Sequence, residues 1–262
     1  MRVGMIGLGA IGGAVLDALR AGRLGPGIEI VSVLVRRPRP DEPLAVTEPA
    51  RFFAARPEAV VEVAGHEALR RYGIACLEAG ADLLLTSAGA LVDDAFRAAL
   101  EHTAAARGRR VVVLSAGIGA LDALAAAAEG GLARVRVTVR KDPSAWRGTP
   151  AETIVDLDRL RAPCELFRGP VREGARLYPQ NVNIAAAAAL AGAGLDRTEL
   201  VVVADPRITE HHVAIEAEGA FGSLRFEEKV RPSAANPKTG VLVAMAVLKS
   251  LRRLVAPLRA GD

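Results

Sequence analysis

Met5-Ile6-Gly7-Leu8-Gly9-Ala10-Ile11-Gly12 is the stretch on which the reading of the fold turns. Upstream of it, Arg2 to Ile6 is a short apolar run that reads as a strand. Downstream, Ile11, Val15, Leu16 and Leu19 recur at helical spacing as far as Gly22. A G-x-G-x-x-G pattern between a strand and a helix has a specific physical use. Gly7 permits the tight turn, Gly9 lets the backbone approach a pyrophosphate, and Gly12 lets the helix close on the strand. The free N–H groups at the helix start, from Ala10 and Ile11 onward, face the phosphate. A glycine-rich turn that merely packs is the competing reading.

The same rhythm continues outward. Ile30 to Val35, Ala59 to Ala64, Asp82 to Thr86 and Arg110 to Leu114 read as further strands, and Ala68 to Ala79 and Val92 to Arg107 as helices between them. Strand and helix in alternation call for a doubly wound parallel sheet, an α/β Rossmann domain over residues 1–120. After about residue 120 the rhythm changes. Leu121 to Ala128 reads as a helix, and Val135 to Lys141, Leu200 to Ala204, Val213 to Ala217 and Gly222 to Glu227 read as strands of a mostly antiparallel sheet. We therefore expect a second α+β domain at 121–237. A C-terminal helix within 238–262, striped with apolar residues from Lys238 to Val255, is expected to complete the first domain.

Composition narrows the function. Apolar residues make up 51% and charged residues 24%, enough for a sizeable core, while aromatics are only 3%. That leaves no row of rings for stacking nucleic-acid bases. The net charge of +4 is spread along the chain rather than gathered in a basic stripe, so no nucleic-acid partner is expected. Cys76 and Cys164 match no metal or redox spacing, and no metal site is expected. The glycines of the N-terminal stretch suit a turn better than a leader helix. The run Ile184 to Leu195 is too short and glycine-broken to span a bilayer, so a soluble cytoplasmic protein is the expectation.

The end of the second strand bears on cofactor choice. An acidic residue there would bind the adenine ribose hydroxyls, but this chain carries Arg36-Arg37. Guanidinium groups grip a 2′-phosphate bidentately, so NADP is expected to be accepted at least as well as NAD. Two solvated arginines before Pro38 remain the alternative.

Several further segments resemble the L-aspartate dehydrogenase family. They are Val63-Ala64-Gly65-His66, Ser115-Ala116-Gly117-Ile118-Gly119-Ala120-Leu121-Asp122, Thr138-Val139-Arg140-Lys141 and Tyr178-Pro179-Gln180-Asn181-Val182-Asn183. Ala204-Asp205-Pro206, Glu218-Gly219-Ala220-Phe221-Gly222 and Asn236-Pro237-Lys238-Thr239 complete the set. The resemblance implies oxidation of L-aspartate to iminoaspartate, then oxaloacetate and ammonia, or the reverse reductive amination. It also implies a homodimer joined through the second domain and, in some members, an entry to pyridine nucleotide biosynthesis. Gly117 falls where the family has a nicotinamide-contacting Ala, and Asn183 on its cofactor-contacting Asn.

The family also places an Asn and, two residues on, a catalytic His after the Asp-Pro turn. Counting back from Gly219 without gaps puts His211 at the Asn position and Val213 at the His position. An extra residue in the strand would re-aim His212 into the site. Uninterrupted pairing would instead put His211 on the face of position 213. An imidazole suits proton transfer near neutral pH, and the reading puts His212 first and His211 second.

Gly65 and His66, at the carboxyl edge of the third strand, are expected near the cofactor. Arg140, Lys141, Ser233, Lys238 and Thr239 are candidates for holding a dicarboxylate, Lys238 and Thr239 at an expected helix start. Two other readings stay open. One is another Rossmann reductase of the homoserine dehydrogenase or dihydrodipicolinate reductase type. The other is a dinucleotide-sensing protein without turnover.

Overall fold

The computed structural model describes residues 1–259 apart from 117–118, 180–182 and 235. The chain forms two compact units. Met1–Leu114 with the segment from Val243 onward makes one, and Ser115–Leu242 the other.

In the first unit the elements run β1 (Arg2–Ile6), α1 (Ala10–Arg20), β2 (Glu29–Leu34), β3 (Ala45–Val46), α2 (Pro49–Ala54) and β4 (Ala59–Glu62). α3 (His66–Glu78), β5 (Asp82–Leu85), α4 (Asp94–Arg107) and β6 (Val111–Val113) follow. The strands form one sheet in the order β3-β2-β1-β4-β5-β6, every neighbour parallel. Order reverses at β1, which lies between β2 and β4, and this switch point is where such sheets bind ligands. β4 is buried along its whole length, as a parallel strand covered on both faces must be.

The second unit contains α5 (Leu121–Glu129), β7 (Leu132–Lys141), α6 (Ala151–Ile154), β8 (Cys164–Pro170), α7 (Val171–Leu177) and α8 (Asn183–Ala191). Next come β9 (Thr198–Ala204), β10 (His211–Gly219), β11 (Gly222–Val230), β12 (Pro232–Ser233) and β13 (Asn236–Gly240). Its main sheet is ordered β11-β10-β7-β9-β8. Only the β7–β9 pair is parallel; the other three are antiparallel. One face of this sheet is covered. Along β10, His211, Val213, Ile215 and Ala217 are buried while His212, Ala214 and Glu216 between them are partly open. The residues across from them on β7 alternate in step, with Val135, Val137, Val139 and Lys141 buried.

The last helix, α9 (Leu242–Arg253), begins four residues later than expected, and Lys238 and Thr239 lie in β13 instead. The cause is local. The Asn236 Oδ1 accepts the Lys238 N–H at 3.1 Å, an Asx turn that competes with helix nucleation. Gly240, a poor helix former, then packs its backbone against Val230, where a Cβ would come within 2.6 Å of Val230 Cγ1. From Leu242 on, Val247 and Leu251 become fully buried in the core of the first unit with Val3, Val15 and Val33. Each contributes about 1.5–3 kcal/mol by burial.

At the β10–β11 hairpin a Cβ on Gly219 would lie 2.3 Å from the Gly131 carbonyl oxygen and 3.2 Å from the Leu132 Cα. Both obstacles are backbone and cannot swing aside. We predict that Gly219→Ala destabilises the protein by about 1–3 kcal/mol, read from urea unfolding. An unchanged midpoint would mean that the hairpin is looser than described.

Candidate functional site

In the first unit the glycine turn has the geometry its sequence demands. Gly7 has φ +104°, and a Cβ there would meet Ala64 at 2.7 Å, so β1 and the turn after β4 touch through bare backbone. A Cβ on Gly12 would lie 2.3 Å from the Gly7 carbonyl oxygen. A Cβ on Gly9, in contrast, would project into open space, with nothing within 4 Å. Gly9 caps α1 without a side-chain hydrogen bond, leaving the N–H groups of the first turn, at Ala10 and Ile11, for a ligand. The loop thus has a bare backbone approach, an open volume above it and a helix N-terminus of eleven residues behind it. These features fit a dinucleotide pyrophosphate.

The turn after β4 is held from beneath by a residue that the sequence reading did not single out. Glu62 is fully buried and its carboxylate accepts the N–H groups of Ala64 and Gly65, both at 2.7 Å. It also takes the Ser87 hydroxyl at 3.0 Å and the Ser87 N–H at 3.3 Å. Burial pushes its pKa up, and these four hydrogen bonds oppose that rise. One buried carboxylate therefore ties together the turns after β4 and β5, at the carboxyl edge of the sheet. Gly65, with φ +111°, and His66, at the first position of α3, follow directly. Only the oddity of a Glu in an otherwise apolar strand could have signalled it. Arg36 and Arg37 follow β2 and are both exposed.

In the second unit the decisive observation is the pairing of β10. Its register with β11 runs unbroken from His211 opposite Val230 to Gly219 opposite Gly222. With β7 it is unbroken from His212 opposite Arg140 to Glu218 opposite Arg134. There is no bulge near the histidines. His212 is therefore not re-aimed and stays on the face of Arg140, while His211 faces the covered side with Val213, only 6% exposed.

The same parity separates Arg140 from Lys141. The Arg140 guanidinium bonds Asp205 at 3.0 Å on the open face, where Arg207 bonds the same carboxylate at 3.1 Å. Burial works against ionisation of Asp205, but these hydrogen bonds outweigh it and hold its pKa below the ordinary value. Arg140 and Lys141 thus leave β7 on opposite faces.

Lys141 is 3% exposed at the end of β7. Its Nζ donates to the Lys238 carbonyl at 3.2 Å and lies 5.7 Å from the centre of the Trp146 ring. Trp146 is itself fixed edge-to-face on Tyr178, their ring centres 5.6 Å apart. Burial, and after it the charge of Lys238, lowers the Lys141 pKa to about 7. Extending the β7–β10 register by one residue sets His211 opposite Lys141, and such cross-strand neighbours have Cβ atoms about 4.5–5.5 Å apart. The Lys238 ammonium donates to the Arg147 carbonyl at 3.3 Å.

Thr239 accepts the Asn236 amide at 3.2 Å, and Ser233, in β12, is partly buried. Asn183 opens α8, partly buried; Gly117 lies outside the described residues. Its neighbour Ala116 holds a left-handed φ of 47°, unusual for a residue with a Cβ and typical of constrained functional loops.

Among the described residues no group of three or more His, Cys, Asp or Glu gathers as a metal site. No described helix is long and apolar enough to cross a membrane.

Residues 122–254 match the family model described as aspartate dehydrogenase, C-terminal. Residues 7–114 match the model for the NAD binding domain of homoserine dehydrogenase. The chain is 42% identical to an L-aspartate dehydrogenase of Pseudomonas aeruginosa, covering 96% of each. It is also 42% identical to one of Ruegeria pomeroyi, covering 99% of this chain and 94% of the relative. The crystal structure of aspartate dehydrogenase from Thermotoga maritima shares the fold, with a TM-score of 0.78 at 24% identity over 100% of this chain and 99% of that one. A dihydrodipicolinate reductase from Paenisporosarcina shares it more distantly, with a TM-score of 0.54 at 14% identity over 97% and 94%. The homoserine dehydrogenase model matches residues 7–114 alone, whereas the L-aspartate dehydrogenases at 42% identity cover both units. The chain belongs to the L-aspartate dehydrogenase family.

Proposed function

We propose that this protein is an NAD(P)-dependent L-aspartate dehydrogenase, converting L-aspartate to iminoaspartate and then oxaloacetate and ammonia, and running the reverse amination. The observation that carries the reading is the full-length match at 42% identity to L-aspartate dehydrogenases. Homodimer formation and a cytoplasmic setting, expected for the family, belong to the same proposal. Both cysteines are free thiols, in keeping with a reducing compartment.

The dinucleotide would lie with its pyrophosphate over Gly9 at the start of α1, and Arg36 and Arg37 are free to meet a 2′-phosphate. When bound, the nicotinamide supplies the acceptor for hydride from Cα. The chain's own residues supply the rest. Lys141 and Lys238 offer two ammonium groups to a dicarboxylate, and an arriving carboxylate favours the charged form of Lys141 that burial disfavours. His211, beside Lys141 on the covered face, is positioned to move a proton. His212 shares the open face with Arg140 and is not.

The primary test is absorbance of reduced cofactor with L-aspartate, and with oxaloacetate plus ammonia. Turnover with both NAD and NADP is expected. Cofactor binding without turnover on either pair would point to a sensor instead. In Arg36→Ala/Arg37→Ala, NADP affinity should fall about tenfold or more and NAD affinity much less. An equal loss for both cofactors would mean that these arginines do not read the 2′-phosphate.

The histidines give a second prediction. His211→Ala should lower kcat by roughly 10²–10⁴-fold with cofactor affinity unchanged, while His212→Ala stays close to the parent enzyme. The reverse ranking would mean that β10 slips by one residue when substrate binds.

A further inference from the structure

Position 213, where the family pattern carries its catalytic imidazole, is valine in this chain, and its cross-strand partner on β11 is Glu228. Val213 is 1% exposed, so the pair sits on the covered face. Directly opposed antiparallel residues hold their Cβ atoms about 4.5–5.5 Å apart and point the same way, so a Glu side chain reaches the volume above its partner. One carboxylate oxygen, Oε1, is buried, and among the described residues nothing hydrogen-bonds it. A buried acceptor of this kind costs stability and is rarely retained without a use.

The next residue along the same face is Phe226, whose ring a Cβ on Gly119 would approach to 2.9 Å. Gly119, two residues after the glycine expected to meet the nicotinamide, therefore packs one step from Glu228. In the other direction His211 is a diagonal neighbour of Glu228, and Lys141 follows His211.

Resting on the aspartate dehydrogenase reading, we propose that Glu228 is the catalytic acid/base of this enzyme, doing from β11 what an imidazole at position 213 does elsewhere in the family. The ionised carboxylate takes one proton from the substrate ammonium, leaving a neutral amine. Once a bound oxidised nicotinamide had taken the Cα hydride, the substrate would be an iminium, and His211 would relay the carboxyl proton to solvent. Water then adds to the iminium carbon, losing one proton to the restored carboxylate. That proton passes to the nitrogen of the carbinolamine, the C–N bond breaks and ammonia leaves. Loss of the hydroxyl proton completes the ketone.

A carboxyl serves both directions only if it titrates near working pH, and burial raises that of Glu228 to about 7. The titratable groups that strand pairing places on the same face are His211 on β10 and, beyond it, Lys141 on β7.

The test uses Glu228→Gln, close in shape and without charge. The kcat for aspartate should fall roughly 10²–10⁴-fold with cofactor affinity unchanged, and the limb near pH 7 should vanish from the kcat/KM profile. The free protein gives an independent readout. A carboxyl whose pKa rises from 4.5 to about 7 on folding contributes stability below 4.5 that is lost as pH climbs through 7. The variant should therefore melt above the parent at pH 8, the gap closing on acidification. A structural glutamate would lose stability at every pH instead.

Glu228→Ala should regain activity with added formate, and Val213→His should restore part of the loss in the Gln background. Wild-type turnover of aspartate with near-normal kcat in Glu228→Gln, or a melting difference independent of pH, would overturn the assignment of Glu228. Absence of aspartate turnover by the wild type would overturn the functional reading instead.

Discussion

An unbroken antiparallel ladder allots its side chains to two faces by parity, and the site in the second unit depends on that constraint. β10 pairs with β11 without a break from His211 to Gly219, and with β7 from His212 to Glu218. A slip of one residue would exchange His211 for His212 and Lys141 for Arg140, turning the buried set outward. The apolar residues Val213, Ile215 and Ala217 forbid that slip, since all three would have to leave the covered face. Hydrophobic burial thus fixes the register, and the register decides which titratable groups meet. Lys141, His211 and Glu228 fall on one side. Arg140, His212 and the Asp205 ion pairs fall on the other.

Two of the groups on the covered face, Lys141 and Glu228, are opposite in chemistry and shifted by the same cause. Burial lowers the ammonium of Lys141 to about 7 and raises the carboxyl of Glu228 to about 7. Burial shifts an acid and a base in opposite directions because it penalises whichever form is charged. The first unit uses a buried charge differently. Glu62 spends its hydrogen-bonding capacity on the backbone of two turns, and so fixes the edge of the sheet where Gly65 and His66 sit. Glu62 builds a shape; Glu228 keeps one buried oxygen without a partner among the described residues.

Much of the fold was legible in the sequence because it rests on periodicity. The glycine turn, the parallel strands of the first unit and the alternation along β10 all follow from apolar spacing. What escaped it has physical reasons. β8, with Glu165 and Arg168 and a Gly169-Pro170 end, is a charged edge strand without a strong strand signature. The start of α9 was misplaced because the Asn236 side-chain oxygen takes the Lys238 N–H before the helix can begin.

The candidate site was less legible. Lys141 and His211 were visible as residue types, but their shared face depends on the absence of a bulge, which a sequence cannot exclude. Glu228 lies in a strand whose neighbours Glu227 and Lys229 are solvent-facing charges, and only its pairing with Val213 separates it from them.

The most direct measurement is a crystal structure with NADP and an unreactive C4 dicarboxylate. The carbon equivalent to Cα should lie over the covered face of the second sheet, within reach of Glu228 and His211, with a carboxylate on Lys141. Ligand density on the open face beside His212 and Arg140 would contradict the parity on which the site is built.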